Sequence, residues 1–208
     1  MSEKVFVLTV DQRSSRGAAD LVPGLLRTLN ARTRAEGLLR RFERTAGDEV
    51  QGVFDDPGAT IEVVVQLMRP DAWNVGLGIG AVDEPLPRTT RAGRGDAFVS
   101  AREAVTRAKS SPHHVNVVGA DPYAAEQVET VLWLVALVQR RRSERGWEVA
   151  DLLSEGMTRR EVGAKLGISQ SAVSQRAQAA GVVEEQRARA LAAQLLATRR
   201  GGGPEGGR

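Results

Sequence analysis

Cysteine is absent from this chain of 208 residues, and histidine occurs only twice. Without thiols the protein has no disulfides, no cysteine nucleophile and no thiolate metal centre. His113 and His114 are adjacent, so on a strand their side chains would point to opposite faces and could not share a ligand. A zinc site is therefore not expected, and no nucleophile with a suitable histidine base stands out.

Long apolar runs are also lacking. The longest, TVLWLVALV at residues 130–138, falls far below the roughly 18 residues that a membrane-spanning helix requires. The first apolar run, KVFVLTV, is short and is closed by Asp11, which does not fit a signal peptide. These features predict a cytoplasmic protein without a membrane partner, built from one medium domain or two small ones.

Positive charge is scarce in the first two thirds of the chain and concentrated after them. Residues 1–138 carry 16 basic and 18 acidic residues, whereas residues 139–208 carry 13 basic and 8 acidic residues. A slightly acidic part followed by a basic part predicts two modules, of which the second faces an anionic partner.

Apolar periodicity predicts an α+β fold for the first 121 residues. Strands are expected at 4–10, 39–45, 50–54, 73–82 and 113–121, with helices at 21–36, 56–69 and 96–110. The order β-α-β-β-α-β, extended by a further helix and strand, is that of the split βαβ or ferredoxin-like arrangement. That arrangement is an antiparallel sheet with helices on one face.

An all-α region is predicted to follow, with helices at 123–142, 147–155, 158–166, 169–180 and 184–198. The apolar run in the first of these is expected to pack between domains or to form a dimer interface. Residues 199–208 are too rich in glycine to be expected to fold.

The stretch TRREVGAKLGISQSAVSQRAQAAG at 158–181 is the most informative part of the chain. Two helices that cross closely need a small residue at the crossing and a turn between them, and Gly163 and Gly167 fit these two positions. Ser169 can cap the second helix by accepting a bond from its free amides. The apolar positions expected on the inner faces are Val162, Leu166, Ile168 and Val173.

This stretch resembles the helix-turn-helix of many bacterial regulators and of sigma-factor region 4. The resemblance implies that the second helix enters the major groove of DNA, with amides and hydroxyls reading bases and cations binding phosphates. Arg176 departs from the pattern, because many such helices are apolar there, and Ala177 and Ala180 are expected to take over its packing. The implied DNA-binding residues are Arg159, Arg160, Lys165, Ser169, Gln170, Ser171, Ser174, Gln175, Arg176 and Gln178. The alternative is a three-helix bundle that binds protein or nothing.

The stretch AGDEVQG at 46–52 predicts a hairpin tip that carries two acids, beside the end of the first strand at Asp11. This half of the chain resembles the class III nucleotide cyclases and GGDEF-type palm domains in element order and motifs. The resemblance implies Mg²⁺ or Mn²⁺ bound with a nucleotide, with Asp11, Asp48 and Glu49 as metal ligands. The alternative reading is that these acids are solvated turn residues.

The palm resemblance extends to GRGDAFVSAREA at 93–104, where it implies nucleotide contacts from Arg94 and Arg102. Phe98 stands where those families carry a catalytic asparagine, which is a departure. A closer match is the SatD-like family, whose motifs appear here as GDEVQ at 47–51, GIG at 78–80 and AREA at 101–104. That resemblance covers most of residues 4–120 and brings no established activity with it.

Together these patterns predict a SatD-like, palm-type domain at 1–121, a connecting helix at 122–146, a helix-turn-helix domain at 147–198 and a tail at 199–208. The predicted function is sequence-specific DNA binding in transcription control by a homodimer, with a first domain that senses a nucleotide or metal. The alternative is a Mg²⁺-dependent nucleotide-processing enzyme that its second domain localises to DNA. A third reading is a degenerate palm used only for protein contacts, with no cofactor.

Overall fold

The computed structural model describes residues 4–15, 17, 19–32 and 37–198. This part of the chain is a mixed α/β structure with five strands and eight α-helices. The elements, in chain order, are β1 Val5–Gln12, α1 Val22–Arg32, β2 Leu38–Ala46, β3 Glu49–Phe54, α2 Pro57–Met68, β4 Trp73–Gly80, α3 Asp96–Ala108, β5 Val115–Gly119, α4 Pro122–Arg140, α5 Glu144–Ser154, α6 Arg159–Leu166, α7 Gln170–Ala179 and α8 Val182–Ala197. The predicted element order is confirmed. The predicted end of the first helix at 33–36 and the tail at 199–208 lie outside the described residues.

The sheet has the order β2-β3-β1-β4-β5. The central strand β1 pairs antiparallel with β3 and with β4, and β2 pairs antiparallel with β3. β5 joins the edge parallel to β4, because α3 carries the chain back across the sheet between them. The four strands that precede β5 thus have the antiparallel split βαβ connectivity that the sequence predicts.

The two helices of the split βαβ unit, α1 and α2, lie on one face of the sheet as predicted, whereas the additional helix α3 lies on the other face. On one face Phe6, Leu8 and Val10 pack with residues from α1, α2, α4 and α8. On the other face Val5 and Val7 pack with α3. The physical reason lies in β4, where Gly76, Gly78 and Gly80 project no side chain from the face that α3 covers.

The approach of α3 to β4 is close enough to exclude a side chain between them. A Cβ atom placed on Gly78 would lie 2.2 Å from the backbone nitrogen of Ala101 and from the carbonyl oxygen of Ala97. Both alanines are fully buried. The alternating glycines therefore form the contact surface for α3, which places Ala97 and Ala101 against Gly78.

α4 covers the free edge of the sheet at β5. The Glu129 carboxylate accepts hydrogen bonds from the Val117 backbone N–H (2.8 Å) and from Asn116 Nδ2 (2.6 Å), and Trp133 Nε1 donates to the Val115 carbonyl (3.2 Å). Burial raises the pKa of the Glu129 carboxyl. These side chains satisfy edge groups that would otherwise be open to another strand.

The apolar run of α4 mostly faces the interior, where Val128, Leu132 and Val135 are buried in the large core. Leu134 and Leu137 remain 56% and 40% exposed. None of the described helices, α4 included, is long and apolar enough to cross a membrane.

The last four helices divide their packing between two cores. Helices α5, α6 and α7 form a small core of their own around Val149, Val162, Val173 and Ala177, and we call them the three-helix unit. α8 instead contributes Ala192 and Leu196 to the core under the sheet. The start of α8 also reaches the three-helix unit, because Val182 packs against its core, while the rest of the helix packs on α2 and α4.

Candidate nucleic-acid interface and polar cleft

The turn between α6 and α7 has the geometry that its sequence predicts. Gly167 ends α6 in the left-handed conformation, at φ 66°. A Cβ on Gly163 would lie 2.8 Å from the carbonyl oxygen of Ile168, so only glycine allows the two segments to cross here. Ser169 Oγ accepts the N–H of Ala172 (3.1 Å) and caps α7, and Thr158 and Glu161 form a reciprocal capping box at the start of α6.

The outer face of α7 carries polar side chains that are exposed to solvent. Ser171, Gln175 and Gln178 are exposed and follow the i, i+4, i+7 spacing of one helix face. Val173 and Ala177 are buried on the opposite face and fix the orientation of the helix. We call Ser171, Gln175 and Gln178 the outer row.

The other predicted DNA-binding residues differ in their solvent exposure and in whether their side chains already form hydrogen bonds. Arg159, Arg160, Lys165 and Gln170 are exposed, whereas Ser174 and Arg176 are half-buried. The Ser174 hydroxyl donates to the Gln170 carbonyl (3.1 Å), and the Ser169 hydroxyl is engaged as a cap. Ala177 and Ala180 are buried beside Arg176, as the sequence predicts. Arg159, Ser174 and Gln178 also line a groove of about 450 Å³ that is bounded by the start of α8.

A polar cleft of about 590 Å³ lies where β1 ends and β3 and β4 begin. Its lining residues are Asp11, Gln12, Arg13, Ser14, Ser15, Asp48, Asn74, Lys109 and His114. The structure thus brings Asp11 and Asp48 together, as the hairpin predicts. Asp48 lies at the two-residue tip between β2 and β3, and its backbone carbonyl accepts the Gln12 N–H (3.3 Å).

The donor set in the cleft only partly fits a divalent cation. One oxygen of Asp11 pairs with Lys109 Nζ (3.2 Å) and the other accepts from Asn74 Nδ2 (3.1 Å). Glu49 lies outside the cleft lining, and its carboxylate accepts from Thr45 Oγ1 (2.6 Å). No group of three or more His, Asp or Glu side chains suited to a metal occurs among the described residues. Binding of Mg²⁺ or Mn²⁺ stays a prediction, and it would require Lys109 to leave Asp11.

The structure does not bring the two predicted nucleotide-binding arginines to this cleft. Arg94 is exposed just before α3, beside the end of β4 at Gly80, whereas Asn74 at the start of β4 borders the cleft. Asn74 and Gly80 are six positions apart along the strand, which corresponds to about 20 Å. Arg102 is exposed along α3. Phe98 packs in the core beneath α3, which explains the apolar residue at that position.

Three residues with unusual backbone conformation surround the cleft. Ser14, Asp71 and His114 are the non-glycine residues with positive φ in the described part of the chain, at 53°, 50° and 55°. Ser14 and His114 line the cleft, and Asp71 pairs with Arg13, which also lines it. Such conformations cost energy and concentrate at functional sites. Burial lowers the pKa of His114, and the charge of Arg13 lowers it further, which favours the neutral ring.

Besides Asp11 and Asp48, the cleft is lined by seven residues that the sequence did not single out as site residues: Gln12, Arg13, Ser14, Ser15, Asn74, Lys109 and His114. Arg13 and Ser14 lie two and three positions after Asp11, so the predicted end of β1 was a signal for both. Lys109 follows α3 and lies 98 positions from Asp11. It could be placed only by knowing which end of the sheet α3 returns to.

No protein-family model matches the chain, and no curated protein sequence matches it. Any function therefore has to be argued from the residues described above.

Proposed function

We propose that this protein is a sequence-specific DNA-binding transcription regulator in which α6 and α7 act as a helix-turn-helix. The observation that carries the proposal is the outer row of α7, presented by a helix whose other face is fixed in a core. Glutamine amides and serine hydroxyls are groups that read base edges in the major groove.

The charges around the outer row suit the same partner. Arg159, Arg160 and Lys165 are exposed on α6, where they can reach phosphates on either side of the groove. The whole region from residue 139 onward carries an excess of positive charge. A bundle that binds an uncharged protein surface would not need this excess.

Two copies of the chain complete the proposal. A single helix of this size reads one half-site, and regulators of this kind bind as dimers to half-sites about 34 Å apart. We therefore expect a cytoplasmic homodimer on a roughly palindromic operator.

The sheet-containing part is proposed to be the sensor. Its split βαβ connectivity and its cleft at Asp11 and Asp48 support the resemblance to SatD-like and palm-type domains. In this proposal a nucleotide, with or without Mg²⁺ or Mn²⁺, binds the cleft and alters DNA binding. The enzymatic alternative predicts turnover of that nucleotide, which product analysis of the same mixtures would detect.

The test is DNA binding of the full chain to operators selected from random duplexes, measured as a function of salt. Arg160→Ala and Lys165→Ala should each weaken binding to all sequences and lower the slope of log K against log salt by about one. Gln175→Ala should instead relax preference at one base pair, by about 1–3 kcal/mol.

Arg107→Ala is the matched control, because Arg107 is an exposed arginine on α3, far along the chain from the three-helix unit. It should leave both the affinity and the salt slope unchanged. If the three changes in the three-helix unit have no more effect than this control, α6 and α7 do not dock on DNA as proposed.

A further inference from the structure

The turn between α2 and β4, residues 69–71, touches both candidate sites. On one side it reaches the cleft: Asp71 Oδ1 lies 2.6 Å from an Nη of Arg13, and the Asp71 carbonyl accepts from the same nitrogen (2.6 Å). Asp71 also pairs with Arg140 at the end of α4 (3.2 Å). Arg13 is a lining residue of the cleft.

On its other side the 69–71 turn reaches the three-helix unit. The Arg69 guanidinium binds both oxygens of Asp151 on α5, at 2.8 and 2.9 Å. Its central carbon also lies 3.9 Å from the ring centroid of Trp147, one turn earlier on α5, and Arg142 lies 4.3 Å from the same centroid. A forked ion pair combined with ring stacking is a geometrically specific contact.

We propose that the cleft binds a phosphate-bearing small molecule through Arg13 and Lys109, and that the 69–71 turn transmits this binding to the three-helix unit. The regulatory meaning of this coupling rests on the DNA binding proposed above. The coupling itself does not depend on DNA.

The choice of a phosphate follows from the pairing of the two cations. Each is held by one carboxylate of the protein, Arg13 by Asp71 and Lys109 by Asp11. Neither cation is sealed off, because their side chains are 28% and 54% exposed. Phosphate oxygens can replace carboxylate oxygens at both cations, and the Ser14 and Ser15 hydroxyls add donors in the same lining.

The transmission follows from the conformation of Asp71. Its φ of 50° is sparsely populated by non-glycine residues, although aspartate tolerates it better than most, and the Asp71 side chain is held here by Arg13 and Arg140. A ligand that takes Arg13 removes one of these restraints. The turn can then relax, and Arg69, two residues away, shifts against Trp147 and Asp151.

The experiment uses the full chain with ¹⁵N-labelled indoles and inorganic pyrophosphate as the probe. The protein has three tryptophans, so single Trp→Phe variants assign the three indole signals. Calorimetry measures binding, once with Mg²⁺ and once with EDTA. We expect binding in at least one condition, with the Trp147 signal shifting in step with saturation. Arg13→Gln should weaken pyrophosphate about tenfold or more, because it removes a charge-assisted contact.

Two variants separate binding from transmission. In Arg69→Gln and in Asp151→Asn, pyrophosphate should still bind but should no longer shift the Trp147 signal. The coupling is wrong if bound pyrophosphate leaves Trp147 unmoved in the unaltered protein, or if both variants still transmit the shift. The ligand class is wrong if no binding occurs with Mg²⁺ or with EDTA. Failure of DNA binding would appear only in the separate salt titrations.

Discussion

Glu185→Ala is expected to lower the free energy of unfolding by about 3–5 kcal/mol at pH 7, because it leaves a buried guanidinium without its counter-ion. The Glu185 side chain is 5% exposed, and one of its oxygens lies 2.5 Å from an Nη of Arg142, which is 2% exposed. Its other oxygen accepts from Gln139 (3.3 Å) and from Nε of Arg189 (3.0 Å). Removal of the Glu185 carboxylate therefore leaves several buried hydrogen-bond donors without an acceptor.

The pH dependence of this effect has a defined sign. Burial acts to raise the pKa of Glu185, but Arg189 and Arg142 together hold it below its ordinary value of 4.5. A carboxyl whose folded-state pKa is lowered contributes stability above its unfolded pKa and loses that contribution as the pH falls through the folded pKa. The difference between the unaltered protein and Glu185→Ala should thus be constant from about pH 6 upward and shrink below 4.5.

Urea unfolding curves at several pH values would measure this difference. Glu184→Ala is the matched control, since the neighbouring carboxylate is exposed and should change stability by less than about 0.5 kcal/mol. Glu185→Gln keeps an acceptor and should fall between the two, which preserves the test if the alanine variant does not fold. If Glu184→Ala and Glu185→Ala lower the free energy of unfolding equally, the ion pair between Arg142 and Glu185 is not buried.

The same cluster joins the three-helix unit to the helices under the sheet. Arg142 follows α4, and its Nε donates to the carbonyl of Ala180 at the end of α7 (2.9 Å). Glu185 and Arg189 belong to α8, and Arg189 pairs with Glu62 on α2 (2.5 Å). The cluster thus joins the end of the proposed recognition helix to the helices under the sheet.

Features that depend on a few neighbouring residues could be predicted from the sequence. The αL glycine at Gly167, the cap at Ser169 and the hairpin tip at Asp48 each follow from local backbone chemistry, and the structure confirms them. The proximity of Asp11 and Asp48 also follows, because one connection and one strand pairing are enough to place them.

Features that depend on distant pairing could not be predicted in the same way. Glu185 reads as one of several charged residues on the last helix, and nothing near it in the sequence identifies Arg142, 43 positions earlier, as its partner. Arg69 likewise meets Asp151 across 82 positions. Such pairs are fixed by how whole helices pack, and composition and periodicity do not encode that.

The face on which α3 lies is an intermediate case, since the signal was present in the sequence. Gly76, Gly78 and Gly80 alternate, so all three point to the same side of a strand. A strand face without side chains calls for a closely packed partner, and the Ala97–Ala101–Ala104 spacing on α3 supplies a helix face that fits.

Gly78→Ala is expected to destabilise the protein by about 3 kcal/mol or more, at or beyond the upper end of ordinary overpacking. The added methyl group would lie 2.2 Å from backbone atoms of Ala97 and Ala101, and no side-chain rotation can relieve a contact with backbone. α3 would have to move away from β4. Because Lys109 directly follows α3, this movement would also separate Lys109 from Asp11.

Two measurements on Gly78→Ala therefore belong together: the unfolding free energy and the affinity for pyrophosphate. Gly24→Ala is the matched control, because a Cβ there meets only the far end of Arg27 at 3.9 Å, and alanine in a helix should be neutral or stabilising. If Gly78→Ala is as stable as this control, α3 does not lie on the glycine face. If it is destabilised yet binds pyrophosphate normally, Lys109 is not part of the binding site, and Arg13 alone would have to hold the ligand.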